Sequence, residues 1–195
     1  MNSSIFSKSF PKNQTELDST QIQEIENLYA NINVLISLLR TKIKKKWNRY
    51  LPINEMFSDR LEKSKFMGFG PDTSIYDSSL VFGDVTIGEH TWVGPFTILD
   101  GSGGLSIGDN CSISSGVQIY THDSVAWAIS GGETKIDIAP TQIGSRCYIG
   151  PNSIISKGVT IGDGSIIGAM SLVTENIPPN SKAHGIPAKV IGIAD

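Results

Sequence analysis

The chain has 195 residues, a formal net charge of −3 and a 39% hydrophobic content, which suits one domain of ordinary size plus an appendage. That charge points to neither nucleic acid nor an anionic membrane, no apolar run approaches the ~18 residues of a membrane span, and the opening MNSSIFSKSFPKN lacks the apolar stretch of a signal peptide. Two cysteines, Cys111 and Cys147, are too few for a disulfide scaffold, so a reducing cytoplasm is the expected compartment.

Residues 1–14 are polar and read as a disordered N-terminus. A helix is expected over 15–50, because no Gly or Pro occurs between Asp18 and Tyr50, Asp18 or Ser19 can cap its start, and Pro52 fits its stop. Its apolar positions, Ile22, Ile25, Tyr29, Ile32, Ile36, Leu39 and Ile43, alternate in steps of three and four, a heptad seam widened by Leu28 and Leu35. Isoleucine at both seam positions favours three or more strands. The helix therefore either lies on its own domain or packs against copies of itself. The basic run KIKKKWNRY, 42–50, reads as a solvated helix end that suits the macrodipole, or as a contact for phosphates or lipid. Residues 51–74 form a connector and cap.

From Ile75 the sequence falls into hexads: IYDSSL, VFGDVT, IGEHTW, VGPFTI, LDGSGG, then after a two-residue slip IGDNCS, ISSGVQ, IYTHDS. They resume as IGSRCY, IGPNSI, ISKGVT, IGDGSI, IGAMSL, VTENIP. Each begins with Ile, Val or Leu, Gly is often second, and the fifth place is usually small. A six-residue strand reaches only ~20 Å before the glycine offers a turn. Three such strands make one 18-residue coil, and coils stack ~4.8 Å apart through backbone hydrogen bonds. A parallel prism spanning 75–178 and a C-terminal cap over 179–195 are expected, with nearly five coils. Cys111 and Cys147 take the small inward slot and read as structural. The letters do not give the handedness; the general crossover rule would make it right-handed.

The repeat stops between Val125 and Gln142, so a protruding loop over 123–142 is expected, and loops of that length within compact domains are usually functional. His122 stands where it departs, and an imidazole can take a proton near neutral pH. Asp123 falls in an inward slot, where an unpaired carboxylate would cost several kcal/mol, so the chain must swing outward there or give Asp123 a partner. His90 and His184 are weaker candidates. Intervals of 32 and 62 residues between the three histidines do not gather them around one metal.

The hexads resemble those of the hexapeptide-repeat acyltransferases, over about residues 70–193. The resemblance implies a mainly β fold, a left-handed parallel β-helix with an N-terminal helical segment, and acetyl-CoA as co-substrate without a metal. His122 matches the base that sugar O-acetyltransferases of this class carry at the root of such a loop. Asp123 is expected to orient it, and Asp100, Tyr120 and Trp127 to meet the acceptor. The tail IGAMSLVTENIPPNSKAHGIPAKVIG looks like the donor-binding signature of the acetyl-CoA-dependent members. Gly150 and Gly168, one coil apart, with Pro151 and Ala169 beside them, would leave a groove for the pantetheine arm. By the resemblance Ala169 and Thr174 line that arm and Lys189 meets the phosphates. Many relatives carry Lys after that Thr; here Glu175 takes its place, and Lys157, one coil earlier, could replace it. Relatives form trimers that set donor and acceptor between two prisms, which agrees with the isoleucine seam. The expected function is acetyl transfer to a hydroxyl of a sugar or surface-polysaccharide precursor. An N-acetyltransferase acting on a nucleotide-linked amino sugar and a non-catalytic trimeric scaffold are the alternatives.

Overall fold

The computed structural model describes residues 17–194, so the expectation for 1–14 lies outside the described residues. The chain divides into two compact units between Ile53 and Asn54. In the first, helix α1 runs Ser19–Trp47. Asp18 caps it: its carboxylate accepts the N–H groups of Thr20 (2.8 Å) and Gln21 (2.9 Å), and the Gln21 side chain accepts the Asp18 N–H in return, which satisfies donors a helix start leaves open. The helix stops before Pro52 because Asn48 turns left-handed, with φ 49°. No α1 residue is buried. Along the seam Ile22, Ile25, Tyr29 and Ile32 are exposed, and Ile36, Leu39 and Ile43 are half-buried.

Short helix α2 (Ile53–Phe57) begins at the boundary, and α3 (Arg60–Phe66) follows it in the second unit, ahead of the repeat. Glu55 is buried and accepts the backbone N–H groups of Asp77 and Ser78 and the Ser78 hydroxyl, tying α2 to the first coil. Beyond it the hexads stack as three parallel columns. The first holds Ser74–Ile75, Trp92–Val93, Ser112–Ile113, Tyr148–Ile149, Ile166–Ile167 and Ser181–Gly185. The second holds the leading halves of Leu80–Ile87 and Ile98–Ile107, then Gln118–Ile119, Ile154–Ile155 and Leu172–Val173. The third holds the trailing halves of the two long strands, then Thr141–Ile143 and Thr160–Ile161, with Ile177 joined by a single bridge.

The period accounts for the core. Thirteen of the fourteen aliphatics that lead the hexads are buried, and Val81 is partly buried against them. Each contributes ~1.5–3 kcal/mol of burial. The small slot does more than avoid a clash. Thr91 Oγ1 donates to the Gly108 carbonyl one coil on, Cys111 Sγ to Gly144, Cys147 Sγ to Gly162 and Ser165 Oγ to Pro178. The two cysteines are thiol members of a hydroxyl ladder along one corner. The first column has six rungs, not five, because Ser181–Gly185, in the segment read as cap, pairs in parallel with Ile166–Ile167. Ala188–Ile193 then folds back antiparallel on that last rung.

Candidate functional site

Two departures from the period meet in space. The first is the two-residue slip. Phe82 pairs with Asp100, but Val85 pairs with Leu105, so the strand Ile98–Ile107 carries two extra residues as a bulge. The second is the long excursion after Thr121. It leaves the second column after Gln118–Ile119 and returns to the third at Thr141. The bulge lies against the root of the excursion: Gly103 N–H donates to Thr121 Oγ1 at 2.8 Å. A Cβ on Gly103 would come within 2.6 Å of the Thr121 carbonyl oxygen, so only glycine permits this approach.

The slip sets the key register. Leu99 pairs with Ile119, which brings Asp100 to the corner of Tyr120 and within reach of the two residues that follow. Asp100 Oδ2 accepts the Thr121 N–H (2.8 Å) and the Thr121 hydroxyl (3.1 Å) and lies 2.7 Å from His122 Nδ1. Oδ1 accepts the Ser102 N–H at 3.0 Å. The Asp100 side chain is 2% exposed and that of His122 37%. Burial alone would raise the Asp100 carboxyl, but hydrogen bonds from Ser102, Thr121 and His122 outweigh it and hold the group well below the usual carboxylate range. An ionised carboxylate at Nδ1 fixes the proton there and leaves Nε2 as the ring's acceptor. The arrangement is a His–Asp dyad whose carboxylate is sealed and whose imidazole is partly exposed.

Asp123, the residue expected to orient His122, is turned elsewhere. It accepts the Val125 N–H at 3.0 Å and pairs with Lys157 Nζ at 3.1 Å. These partners, the Val125 N–H first, lower its pKa. His122–Asp123 and Asp137–Ile138 pair antiparallel and form the neck of the loop. Lys157 also bonds Asp137, so one ammonium ties both strands of the neck. Lys157 is therefore not open to replace a phosphate contact. Asp100 was expected to meet the acceptor; it is sealed beneath His122 and touches the ring instead. The Tyr120 hydroxyl donates to Gln118 Oε1 at 2.8 Å. Above the neck, helix α4 (Val125–Ile129) carries Trp127, 49% exposed, whose indole rests against Gly132.

The residues expected at the donor fall on two corners. Gly150 N–H donates to the Ile167 carbonyl and Met170 N–H to that of Pro151, so Gly150, Pro151, Gly168 and Ala169 stack where the first side meets the second. A Cβ on Gly150 would approach Ala169 N to 2.5 Å. Thr174 lies at the far edge of the second side, where Tyr120 N–H bonds Ile155, Ser156 N–H bonds Val173, and Tyr120, Ser156 and Thr174 form one column. That column leads from the dyad toward Thr174. Of the outward residues on the side between the two corners, Ile98, Ile154 and Leu172 are apolar and half-buried, with half-buried Gln118 between Ile98 and Ile154. Lys189 Nζ, expected at the phosphates, pairs with Glu175 at 3.2 Å. His184 sits over Gly168, and exposed His90 lies 3.6 Å from Asp72. On the third side, next to the bulge and the loop's return, a shallow pocket of about 220 Å³ is lined by polar groups of Asp84, Thr86, Ser106 and Gln142.

Two family models match the chain: one described as bacterial transferase hexapeptide (six repeats), over residues 140–175, and one as hexapeptide repeat of succinyl-transferase, over 84–121. Galactoside O-acetyltransferase of Escherichia coli K12 is 32% identical over 54% of this chain and 62% of its own length. The putative colanic acid biosynthesis acetyltransferase WcaF of the same organism is 34% identical over 55% and 57%. The chain thus spans about three fifths of the length of these relatives. Among solved structures, the hexapeptide-repeat acetyltransferase VCA0836 of Vibrio cholerae, complexed with acetyl coenzyme A, has a TM-score of 0.58 at 26% identity, over 85% of this chain and 90% of that one. AntD, an N-acyltransferase from Bacillus cereus crystallised with dTDP and 3-hydroxybutyryl-CoA, has a TM-score of 0.59 at 24% identity, over 69% and 88%, a likeness of fold alone. The six-residue period and the three parallel columns it builds agree with the matches to both hexapeptide-repeat models, and in fold and sequence this chain is similar to hexapeptide-repeat acetyltransferases.

Proposed function

We propose that this chain is an acetyl-CoA-dependent acetyltransferase that moves an acetyl group to a hydroxyl of a sugar or surface-polysaccharide precursor, with His122 as general base and Asp100 as its positioning residue. The observation that carries the reading is the dyad itself: a sealed, ionised carboxylate on Nδ1 of a partly exposed histidine at the root of a long loop. In the reaction, His122 Nε2 takes the proton of the acceptor hydroxyl as its oxygen attacks the thioester carbonyl carbon. The tetrahedral intermediate collapses with cleavage of the C–S bond, and the imidazolium returns its proton to the departing CoA sulfur. Asp100 stabilises the imidazolium by a charge-assisted hydrogen bond. Base catalysis of this kind is worth ~10²–10⁴ in rate.

The named activity of the galactoside O-acetyltransferase and the acetyl coenzyme A in the VCA0836 structure support the donor and the acceptor class. At the corner of Gly150 and Gly168, Ala169 is exposed and Pro151 and Gly168 are half-buried, and side chains this small leave room for an extended thioester arm. Thr174 sits at another corner of the same prism, so a groove lined by all the donor residues is completed between two copies. A homotrimer fits this, and the isoleucine seam of α1 supplies a contact for it.

Acetyl-CoA consumption screened against free sugars, nucleotide sugars and amino sugars tests the proposal, with His122→Ala as control. Turnover only with an amino sugar, and only a small loss in His122→Ala, selects N-acetylation, since an amine needs less help from a base. No CoA binding and no turnover selects a scaffold.

A further inference from the structure

We infer that the C-terminal end of α1 and the turn after it form a docking surface for an anionic lipid bilayer. Six of the chain's sixteen Lys and Arg residues fall between positions 40 and 49, and none of its nineteen Asp and Glu lies between 27 and 54. The overall charge of −3 hides this segregation. Arg40, Lys42, Lys44, Lys45, Lys46 and Arg49 are all exposed. None of them meets a carboxylate among the described residues, although Lys63, Arg146, Lys157 and Lys189 each do.

A helix end gains from one or two cations in its last turn. This one carries Lys44, Lys45 and Lys46 there, with like charges also repeating at Arg40–Lys44 and Lys42–Lys46, spacings at which they repel. The cluster is therefore unfavourable on its own and becomes favourable against a dense anionic surface. Two exposed aromatics choose among such surfaces. Trp47 is 55% exposed and Tyr50 74%. The Lys46 ammonium lies 4.7 Å from the Trp47 ring and that of Lys44 5.3 Å from the Tyr50 ring, so the rings sit among the charges. An apolar ring with a polar tip beside a basic cluster matches the headgroup region of a bilayer, where Trp and Tyr concentrate.

The experiment is co-sedimentation of the full chain with vesicles of equal phosphatidylglycerol and phosphatidylcholine, or phosphatidylcholine alone, at about 0.05 M and about 0.5 M salt. The anionic vesicles should retain the chain at low salt and release it at high salt, and the neutral ones should not retain it. In the triple variant Lys44→Gln, Lys45→Gln, Lys46→Gln, partition should weaken by roughly a hundredfold, with helix content unchanged by circular dichroism, since glutamine holds a helix about as well as lysine. Equal binding to neutral vesicles, no binding to anionic ones, or an unaffected triple variant overturns the inference. So does release of the chain from anionic vesicles by a single-stranded RNA competitor it binds more tightly, which would make the cluster a nucleic-acid surface. No readout depends on acyl transfer, so the result stands apart from the enzymatic proposal.

Discussion

Asp100 and His122 are 22 residues apart in sequence and 2.7 Å apart in space. An undisturbed 18-residue coil would set Asp100 against residue 118. Two extra residues in the coil that starts at Ile98 move it to Tyr120 and bring His122 into range. The bulge thus builds the dyad.

Replacing Asp100 by Asn should lower kcat by roughly two to four orders of magnitude with little change in KM, because the amide no longer fixes the Nδ1 proton or stabilises the imidazolium. Steady-state kinetics with both substrates varied would show the split. Equal losses in kcat and in fold stability would reduce Asp100 to a structural group.

The same carboxylate should govern acid stability. Its folded pKa lies below its unfolded one, so its contribution is complete above about pH 4 and is lost as pH falls further. Urea midpoints measured from pH 6 downward should drop for the wild type, and less steeply for Asp100→Asn.

Lys157→Met should loosen the loop while leaving the prism intact. An exposed pair such as Lys157–Asp123 is worth at most about 1 kcal/mol, so the melting midpoint should barely move. Amide exchange between 123 and 138 should quicken, and KM for the acceptor should rise more than that for acetyl-CoA.

In the corner ladder the thiols act as small donors to the next coil. Cys111→Ser should therefore cost less than about 1.5 kcal/mol, and Cys111→Val, which leaves the Gly144 carbonyl without that donor, about 1–3 kcal/mol. Chemical denaturation of the two variants would rank them, and a reversed order would remove the ladder as a source of stability.

Asn at both Ile25 and Ile32 should lower the assembled mass if the α1 seam holds copies together. Sedimentation equilibrium of the double variant beside the wild type reads this directly; a wild-type mass near one chain would already exclude the seam as a contact.

Much of this was legible in the sequence. The period of six specified the three columns, the buried aliphatics and the small slot, because each physical constraint recurs at a fixed place in every hexad. The root of the loop and His122 were legible for the same reason: they are where the recurrence fails. The partner of His122 was missed because adjacency favoured Asp123, although the two-residue slip carried the signal for Asp100. Thr121, which braces Asp100 and receives the Gly103 N–H, looked like an ordinary hexad residue. The clamp by Lys157 depends on the reach of a flexible side chain, which no periodicity encodes. The sixth rung was missed because the step from Ile166 to Lys182 is shorter than a regular coil.

The paired strands below the loop, held by a single ammonium, divide the molecule into a fixed and an exchangeable part. Asp100 lies on the coil and His122 opens the first strand of that closure, bonded back to Asp100, whereas Val125 to Ile136 lie beyond it. Grafting another tip onto this stem should retarget the protein to a different acceptor without rebuilding its proton-transfer machinery, while shortening the bulge by even one residue should disable every such graft.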